Sequence, residues 1–331
     1  MNIINFYQIC FSDIANAMNL QQLRTFIRIA ELGSLSKASD RMRVAQPALS
    51  RQMKLLQEEV GVVLFDRHRG GMRLTLAGDE LLRRVPGLIR QLDQVYEDVR
   101  AHAGAIRGQV VFGVVPTVSY VLARHLACRV AADFPAVQLR IVESYSGHLV
   151  EWLQRGEIDA AIVYGPGEKF HMRAEELLLE DLVVVGPPHA GLDPATPMSM
   201  ATFANLSLVL PSRPHGLRVV VELAAHRAKI KLEVRFEADS FRVLVDLVEQ
   251  GLGYSALPLS AVSREVEQKR LTYAPLVEPK VTRNLILGIP DSTLSRATQT
   301  VIALTRDEIA KLVKSGAWDA RLRYSPDRPV R

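Results

Sequence analysis

Residues 34–61, SLSKASDRMRVAQPALSRQMKLLQEEVG, leave little choice of local structure. Leu35, Ala38 and Met42 recur at three- and four-residue steps, and so do Leu49, Met53, Leu56 and Val60, so each run forms one apolar stripe of a helix. Ser34 is placed to cap the first of these helices. Pro47 falls in the first turn of the second, where a missing N–H costs nothing. A turn around Arg43 and Val44 separates the two, and Gly61 closes the second. Upstream, Leu23, Phe26, Ile27 and Ala30 predict an earlier helix that stops at Gly33. Gln46, Ser50, Arg51 and Lys54 are left on the outward face of the last helix, which at about 14 residues runs roughly 21 Å. A polar, basic helix of that length fits the major groove of DNA.

The next stretch fits the same geometry. Leu64 and Phe65 are apolar anchors, and Leu74 and Leu76 return to the core. Between them Arg67, His68, Arg69, Gly70, Gly71 and Arg73 make a basic, glycine-centred hairpin, placed as a wing that reaches phosphates or a minor groove. Residues 18–77 hold ten Lys and Arg against five Asp and Glu, a surplus equal to the +5 of the whole chain. A basic segment on a nearly balanced remainder is the electrostatic signature of nucleic-acid binding. The pattern alone also admits three helices that contact protein, with the hairpin a solvated loop.

Residues 18–78 resemble the N-terminal winged helix-turn-helix of LysR-type transcriptional regulators. The resemblance rests on Gln46-Pro47-Ala48, Ser50-Arg51-Gln52-Met53-Lys54, Leu56, Glu58-Glu59, Gly61, Leu64-Phe65, Arg67, Leu74-Thr75 and Ala77-Gly78. Gln57 departs from it, since the family more often has Glu there. The resemblance implies double-stranded DNA as partner. Gln46, Pro47, Ser50 and Arg51 would lie at the base edges, and Lys54, Arg67, Arg69 and Arg73 on phosphates. Met18-Asn19-Leu20 resembles the usual start of a family member, which makes residues 1–17 an extension. That extension lacks the basic region of a signal peptide and the length of a membrane span.

Beyond Gly78, Leu81, Val85, Leu88, Leu92, Val95 and Val99 alternate at steps of four and three, a heptad seam that needs a second helix to cover it. Residues 78–107 therefore predict a linker and dimerisation helix with a hinge at its end, kinked or locally broken by Pro86. The seam could instead pack on its own domain. In the resembling family this helix pairs two subunits, and homotetramers form from such dimers.

From residue 109 the rhythm changes to short apolar runs alternating with helical spacing, which predicts a parallel α/β sheet. The strands exceed what one small sheet needs, so two lobes are expected. The resemblance supplies their arrangement, a regulatory domain similar to periplasmic solute-binding proteins. Lobe I would comprise residues 108–181 and 285–312, and lobe II residues 182–284. Residues 313–331 form a C-terminal tail, whose charged, proline-bearing part from Trp318 to Arg331 reads from its composition as a disordered end. The fold class is thus a winged helix-turn-helix, a long linker helix and a two-lobed α/β domain.

Ligands of open α/β sheets bind beyond the carboxyl ends of strands. The hydroxyls and cation expected there are Thr117, Ser119, Ser144, Ser146, Tyr164, Arg213 and Ser240, a set suited to a small carboxylate or similar anion. Each Ser or Thr is equally explained as a helix cap, and their convergence in one cleft is implied by the family geometry. Cys10 and Cys128 match no metal or disulfide spacing, and Cys128 reads as a small core residue on a helix. The histidines are scattered and no hydrolase or phosphate-loop motif occurs, so neither an enzyme nor a cofactor is expected. With no targeting segment, the expected location is the cytoplasm, away from membrane. Expected partners are DNA, a small anionic effector, further copies of the chain and RNA polymerase. Residues 143–144 and 164–165 also faintly resemble the nitrogen-assimilation control branch of the family, which raises the alternative of an effector-independent regulator.

Overall fold

The computed structural model describes residues 19–68, 71–101, 105–165, 173–291 and 293–324. It divides into two compact units, one ending at Asp93 and the other starting at Gln94.

The first unit begins with helix α1 (Leu20–Leu32), α2 (Leu35–Met42) and α3 (Gln46–Val60). Asn19 and Gln22 form a reciprocal capping box on α1. Ser34 caps α2, and Gly33, Arg43 and Gly61 end the three helices in the left-handed region. Phe26, Ile29, Leu49, Met53 and Leu56 fill the core with Leu64 and Phe65 from the strand that follows. Val60 is 38% exposed, against expectation: it sits on the last turn, where the chain leaves through Gly61. Strands β1 (Phe65–His68) and β2 (Gly71–Leu74) pair antiparallel as the wing. Gly71 has φ 133°, and a side chain there would collide with the Gly33 carbonyl, which accepts a bond from Met72 N–H at 2.8 Å.

Helix α4 (Leu76–Ala101) continues through Pro86, without the local break that was one of the two expected outcomes. Proline has no N–H to donate, so the helix forgoes one intrahelical bond there. Leu81 and Leu82 pack on the winged-helix core, while Leu88, Leu92, Val95 and Val99 are all about half exposed or more.

The second unit has two hydrophobic cores. The first is built from β3 (Gly108–Val114), α5 (Pro116–Asp133), β4 (Val137–Glu143), α6 (Ser146–Gln154) and β5 (Ala160–Gly165). Strand β6 (Arg173–Gly186) then runs into the second core. That core holds β7 (Met198–Ser199), α7 (Met200–Ala204), β8 (Leu208–Leu210), α8 (Gly216–Arg227), β9 (Val234–Glu237), α9 (Phe241–Glu249), β10 (Ser255–Pro258), α10 (Leu259–Glu267) and β11 (Thr272–Val277). Strand β12 (Thr282–Ile289) returns to the first core, followed by α11 (Arg296–Lys314) and β13 (Arg321–Leu322).

The sheet is mixed rather than parallel. Strand β3 runs parallel to β4 and β5, but β12 is antiparallel to both β5 and β6, and β10 and β11 are antiparallel to β6. The reason is the double crossover: β6 and β12 leave and re-enter lobe I in opposite directions. Strand β6 pairs with β12 as far as Asp181 and with β10 and β11 from Leu182 onward, so one strand serves both lobes. Pairing of Thr282 with Asp181 puts the start of β12 in lobe I, three residues earlier than expected.

Two further expectations are corrected. Cys128 is exposed. Helix α5 buries Val118, Leu122, Leu126 and Val130, and two residues beyond Leu126 is about 200° around the helix. Residues 318–324 are not part of a disordered end, because Trp318 is 1% exposed within the first core and β13 pairs with β6. Residues 325–331 and 1–17 lie outside the described residues.

Candidate nucleic-acid interface and interlobe pocket

The outward surface of α3 is set by its own buried stripe. With Leu49, Met53 and Leu56 inward, Gln46, Pro47, Arg51 and Lys54 are exposed and Ser50 is half-buried at the edge. Lys54 pairs loosely with Glu58 at 3.5 Å, a surface contact worth little energy. Gln52 is withdrawn from reading, since it accepts a bond from the buried Thr25 hydroxyl at 2.7 Å. Gln57 is also engaged internally. Its side-chain oxygen accepts from Leu64 N–H at 2.8 Å and Phe65 N–H at 3.3 Å, fixing the turn into the wing. Either Gln or Glu supplies that acceptor. In the wing, Arg73 is exposed opposite Asp66. Arg67 lies in β1, its side chain outside those described, and Arg69 lies outside the described residues.

The predicted ligand residues divide into three groups. Thr117 and Tyr164 meet in lobe I, their hydroxyl oxygens 3.2 Å apart and both buried. They face Pro211, His215, Ala238, Asp239 and Phe241 of lobe II across a cavity of only about 10 Å³. Ser146 accepts from Tyr164 N–H at 3.1 Å and lines a larger cavity of about 770 Å³. Ser144 bonds the His148 ring at 3.3 Å and Ser119 is half-buried on α5, so neither lines either of these cavities. Ser240 is the exposed N-cap position of α9, with no side-chain cap bond.

Arg213 does not serve as the cation of the site. It is 72% exposed and forms a fork on Glu222 of α8, with bonds of 2.8 and 2.9 Å, so its charge is already met. The cations on the larger cavity are Arg227, from the last turn of α8, and Lys280, which also contacts Asp181 at 2.8 Å. Sequence reading missed both, because they stand at a helix end and in a crossover rather than after a strand. The rest of this cavity is apolar, with Val150, Val219, Val220, Leu223 and Val281, and hydroxyls of Tyr145, Ser146 and Thr282. Among the described residues no acidic side chain lines it.

The lobes touch directly over the smaller cavity. Tyr145 donates to the Asp239 carbonyl at 2.6 Å, and the Tyr120 and Phe241 rings meet edge-on at 4.8 Å. His215 packs against the Tyr145 ring at 4.6 Å, and its Nδ1 accepts from Leu217 N–H. Burial pushes the His215 pKa down to about 4, with Asp239 opposing and Arg283 adding to the fall. Hydrogen bonds from Ser212 hold the Asp239 carboxyl below its ordinary range. Among the described residues no cluster of three His, Cys, Asp or Glu side chains could hold a metal, and no helix is long and apolar enough to cross a membrane.

A winged helix-turn-helix with an outward polar helix, joined to a two-lobed α/β unit with a pocket between its lobes, defines a DNA-binding regulator with a solute-binding type of domain. Comparison with known proteins agrees. Residues 20–79 match the bacterial regulatory helix-turn-helix protein, lysR family, and residues 103–310 match the LysR substrate binding domain. The chain belongs to the LysR family of DNA-binding transcriptional regulators. The HTH-type transcriptional regulator BbuR of Bordetella bronchiseptica is 29% identical over 92% of this chain and 94% of its own length. The nitrogen assimilation regulatory protein nac of Escherichia coli is 28% identical over 89% and 97%. A full-length OxyR variant from Pseudomonas aeruginosa has the same fold, with a TM-score of 0.69 at 24% identity over 93% and 99%. So does full-length CbnR complexed with its target DNA, at 0.69 and 20% over 89% and 99%. The relatives are transcriptional regulators, not enzymes.

Proposed function

We propose that this regulator reads a two-part DNA site with paired α3 helices and answers to a small amphipathic anion bound between the lobes. The reading of DNA is supported by the exposed Gln46, Arg51 and Lys54 on a helix whose buried stripe admits no other orientation. Gln46, Ser50 and Arg51 contact base edges, while Lys54, Arg73 and the wing residues Arg67 and Arg69 hold phosphates. Arg51→Ala should cost about 1–3 kcal/mol on the preferred sequence and relax discrimination there. Arg73→Ala should weaken all sequences alike and reduce the salt slope by about 1. Binding curves against matched and scrambled duplexes at several salt concentrations separate the two. Identical profiles would refute the division of labour.

The exposed seam of α4 supports pairing of two subunits, and contacts between regulatory domains would join two pairs into a tetramer. A change in lobe angle would then alter the spacing of the DNA heads, the bend they impose, and access of RNA polymerase. The ligand class follows from the 770 Å³ cavity: a drug-sized volume, an apolar wall and the Arg227 guanidinium suit an organic carboxylate, with Lys280 already engaged by Asp181. A thermal-shift screen of aliphatic and aromatic carboxylates on the full chain tests this, with Arg227→Ala abolishing any shift.

A second reading is effector-independent regulation. It is favoured by the smaller cavity, whose 10 Å³ holds about one water, and by the direct bond from Tyr145 to Asp239 that closes it. No stabilising carboxylate in the screen would favour this reading.

A further inference from the structure

Glu180 and Arg283 face each other across β6 and β12, where both strands pass between the lobes. Glu180 is 0% exposed and Arg283 2%. A carboxylate so placed is tolerable only with its oxygens fully partnered. Arg283 binds one oxygen through Nε and Nη2. Its remaining Nη1 donates to the Tyr164 hydroxyl at 2.6 Å, with the guanidinium carbon 4.9 Å from the centre of the Tyr164 ring. The other Glu180 oxygen accepts from the Trp318 indole N–H at 2.7 Å. The nearest further donor, the Ser260 hydroxyl, is at 3.5 Å and a poor substitute.

Trp318 is held there from outside. Arg321 grips Asp181 at 2.7 and 3.0 Å, β13 pairs with β6, and Arg323 N–H donates to the Leu177 carbonyl. A single line of hydrogen bonds therefore runs from Thr117 in the cleft wall through Tyr164, Arg283 and Glu180 to Trp318. The guanidinium is a planar fork, so turning it to follow Tyr164 breaks a bond to a buried carboxylate. Neither end can move without disturbing the other.

We propose that Trp318 is a positioning residue of the interlobe site: through Glu180 and Arg283 it fixes the Tyr164 hydroxyl, and a displacement of Tyr164 is felt at the segment carrying β13. The inference rests on the interlobe reading only for the meaning of the signal, since the line of bonds exists without any ligand.

The chain has two tryptophans, Trp152 and Trp318, so the full-length Trp152→Phe protein reports on Trp318 alone. In that background Tyr164→Phe deletes one hydroxyl and no bulk. Acrylamide quenching of Trp318 should rise about twofold as the indole loses its fixed partner. In the other direction, Trp318→Phe removes the donor, and amide exchange in residues 160–165 should quicken, where Tyr164 N–H bonds Ser146 at 3.1 Å. The exposed control Lys231→Ala should change neither reading. Unchanged quenching in folded Tyr164→Phe overturns the proposal, and so does unchanged exchange in folded Trp318→Phe. If Trp318→Phe fails to fold, the Tyr164→Phe measurement decides by itself. A silent carboxylate screen has no bearing on either reading, and silence here leaves the anion proposal standing.

Discussion

His215 illustrates how little a residue's name says about its charge. In the unfolded chain it takes up a proton near its ordinary 6.5, whereas the buried ring in the fold does so only near 4. Stability from this group is therefore full above pH 6.5 and is lost progressively as pH falls toward 4, because the unfolded state binds the proton first. The loss should reach about 2 kcal/mol at pH 5 by the usual conversion of a pKa difference. Urea midpoints at pH 7 and 5 measure it. His215→Asn, which keeps an acceptor for Leu217 N–H, should flatten this part of the pH dependence. An equal pH response in both proteins would show that other groups carry it. The sequence exposed His215 only as one of several scattered histidines. Its burial and its place between Tyr145 and Tyr164 come from residues some 50 and 70 positions upstream. Arg213 shows the converse: its position after a strand suggested a ligand cation, but Glu222 had already claimed it.

Elements were legible where one period dominated. Helices α2 and α3 have breakers and apolar steps that agree, so their ends fall within a residue of expectation, and α1 stops at Gly33 as expected. The seam of α4 was equally plain, and the structure leaves Leu88, Leu92, Val95 and Val99 open. Leu92→Glu should yield a smaller particle in sedimentation, with the urea midpoint of the monomer nearly unchanged, since surface substitutions are usually within about 0.5 kcal/mol. An unaltered particle size would mean that other contacts hold the subunits together. Short elements were less legible. Strand β7 and helix α7, of two and five residues, give too few turns of either period to be read from spacing. Cys128 was misplaced because apolar residues such as Val121, Ala127 and Ala131 lie on more than one face of α5, among Arg124, His125 and Arg129, and the tertiary contacts choose which face is buried.

At the scale of the whole molecule, β6 and the segment after α11 join what sequence reading kept apart. Trp318 looked like the start of a charged, proline-bearing end, yet it is a core residue of lobe I. Trp318→Ala should cost about 3–5 kcal/mol, the range for a buried aromatic side chain. Removing residues 313–331 should lower thermal stability at least as much, measurable by calorimetry of the regulatory unit's transition. Full stability in the truncated chain would contradict the packing described.

The sequence by itself determined what depends on near neighbours: three capped helices, a basic wing, a heptad seam and an alternation of strand and helix. Periodicity, capping and turn chemistry act within about a dozen residues, so they can be read from one line of text. It also determined the family, because the residues of α3 and the wing that carry the resemblance stand in one contiguous string. Only the tertiary structure decided which cations stand on the interlobe cavity, that one strand serves both lobes, and that Trp318 sits on Glu180. Those facts join residues from tens to well over a hundred positions apart, as Glu180 is joined to Arg283 and Trp318, and their partners are set by how the lobes fold over the crossover strands.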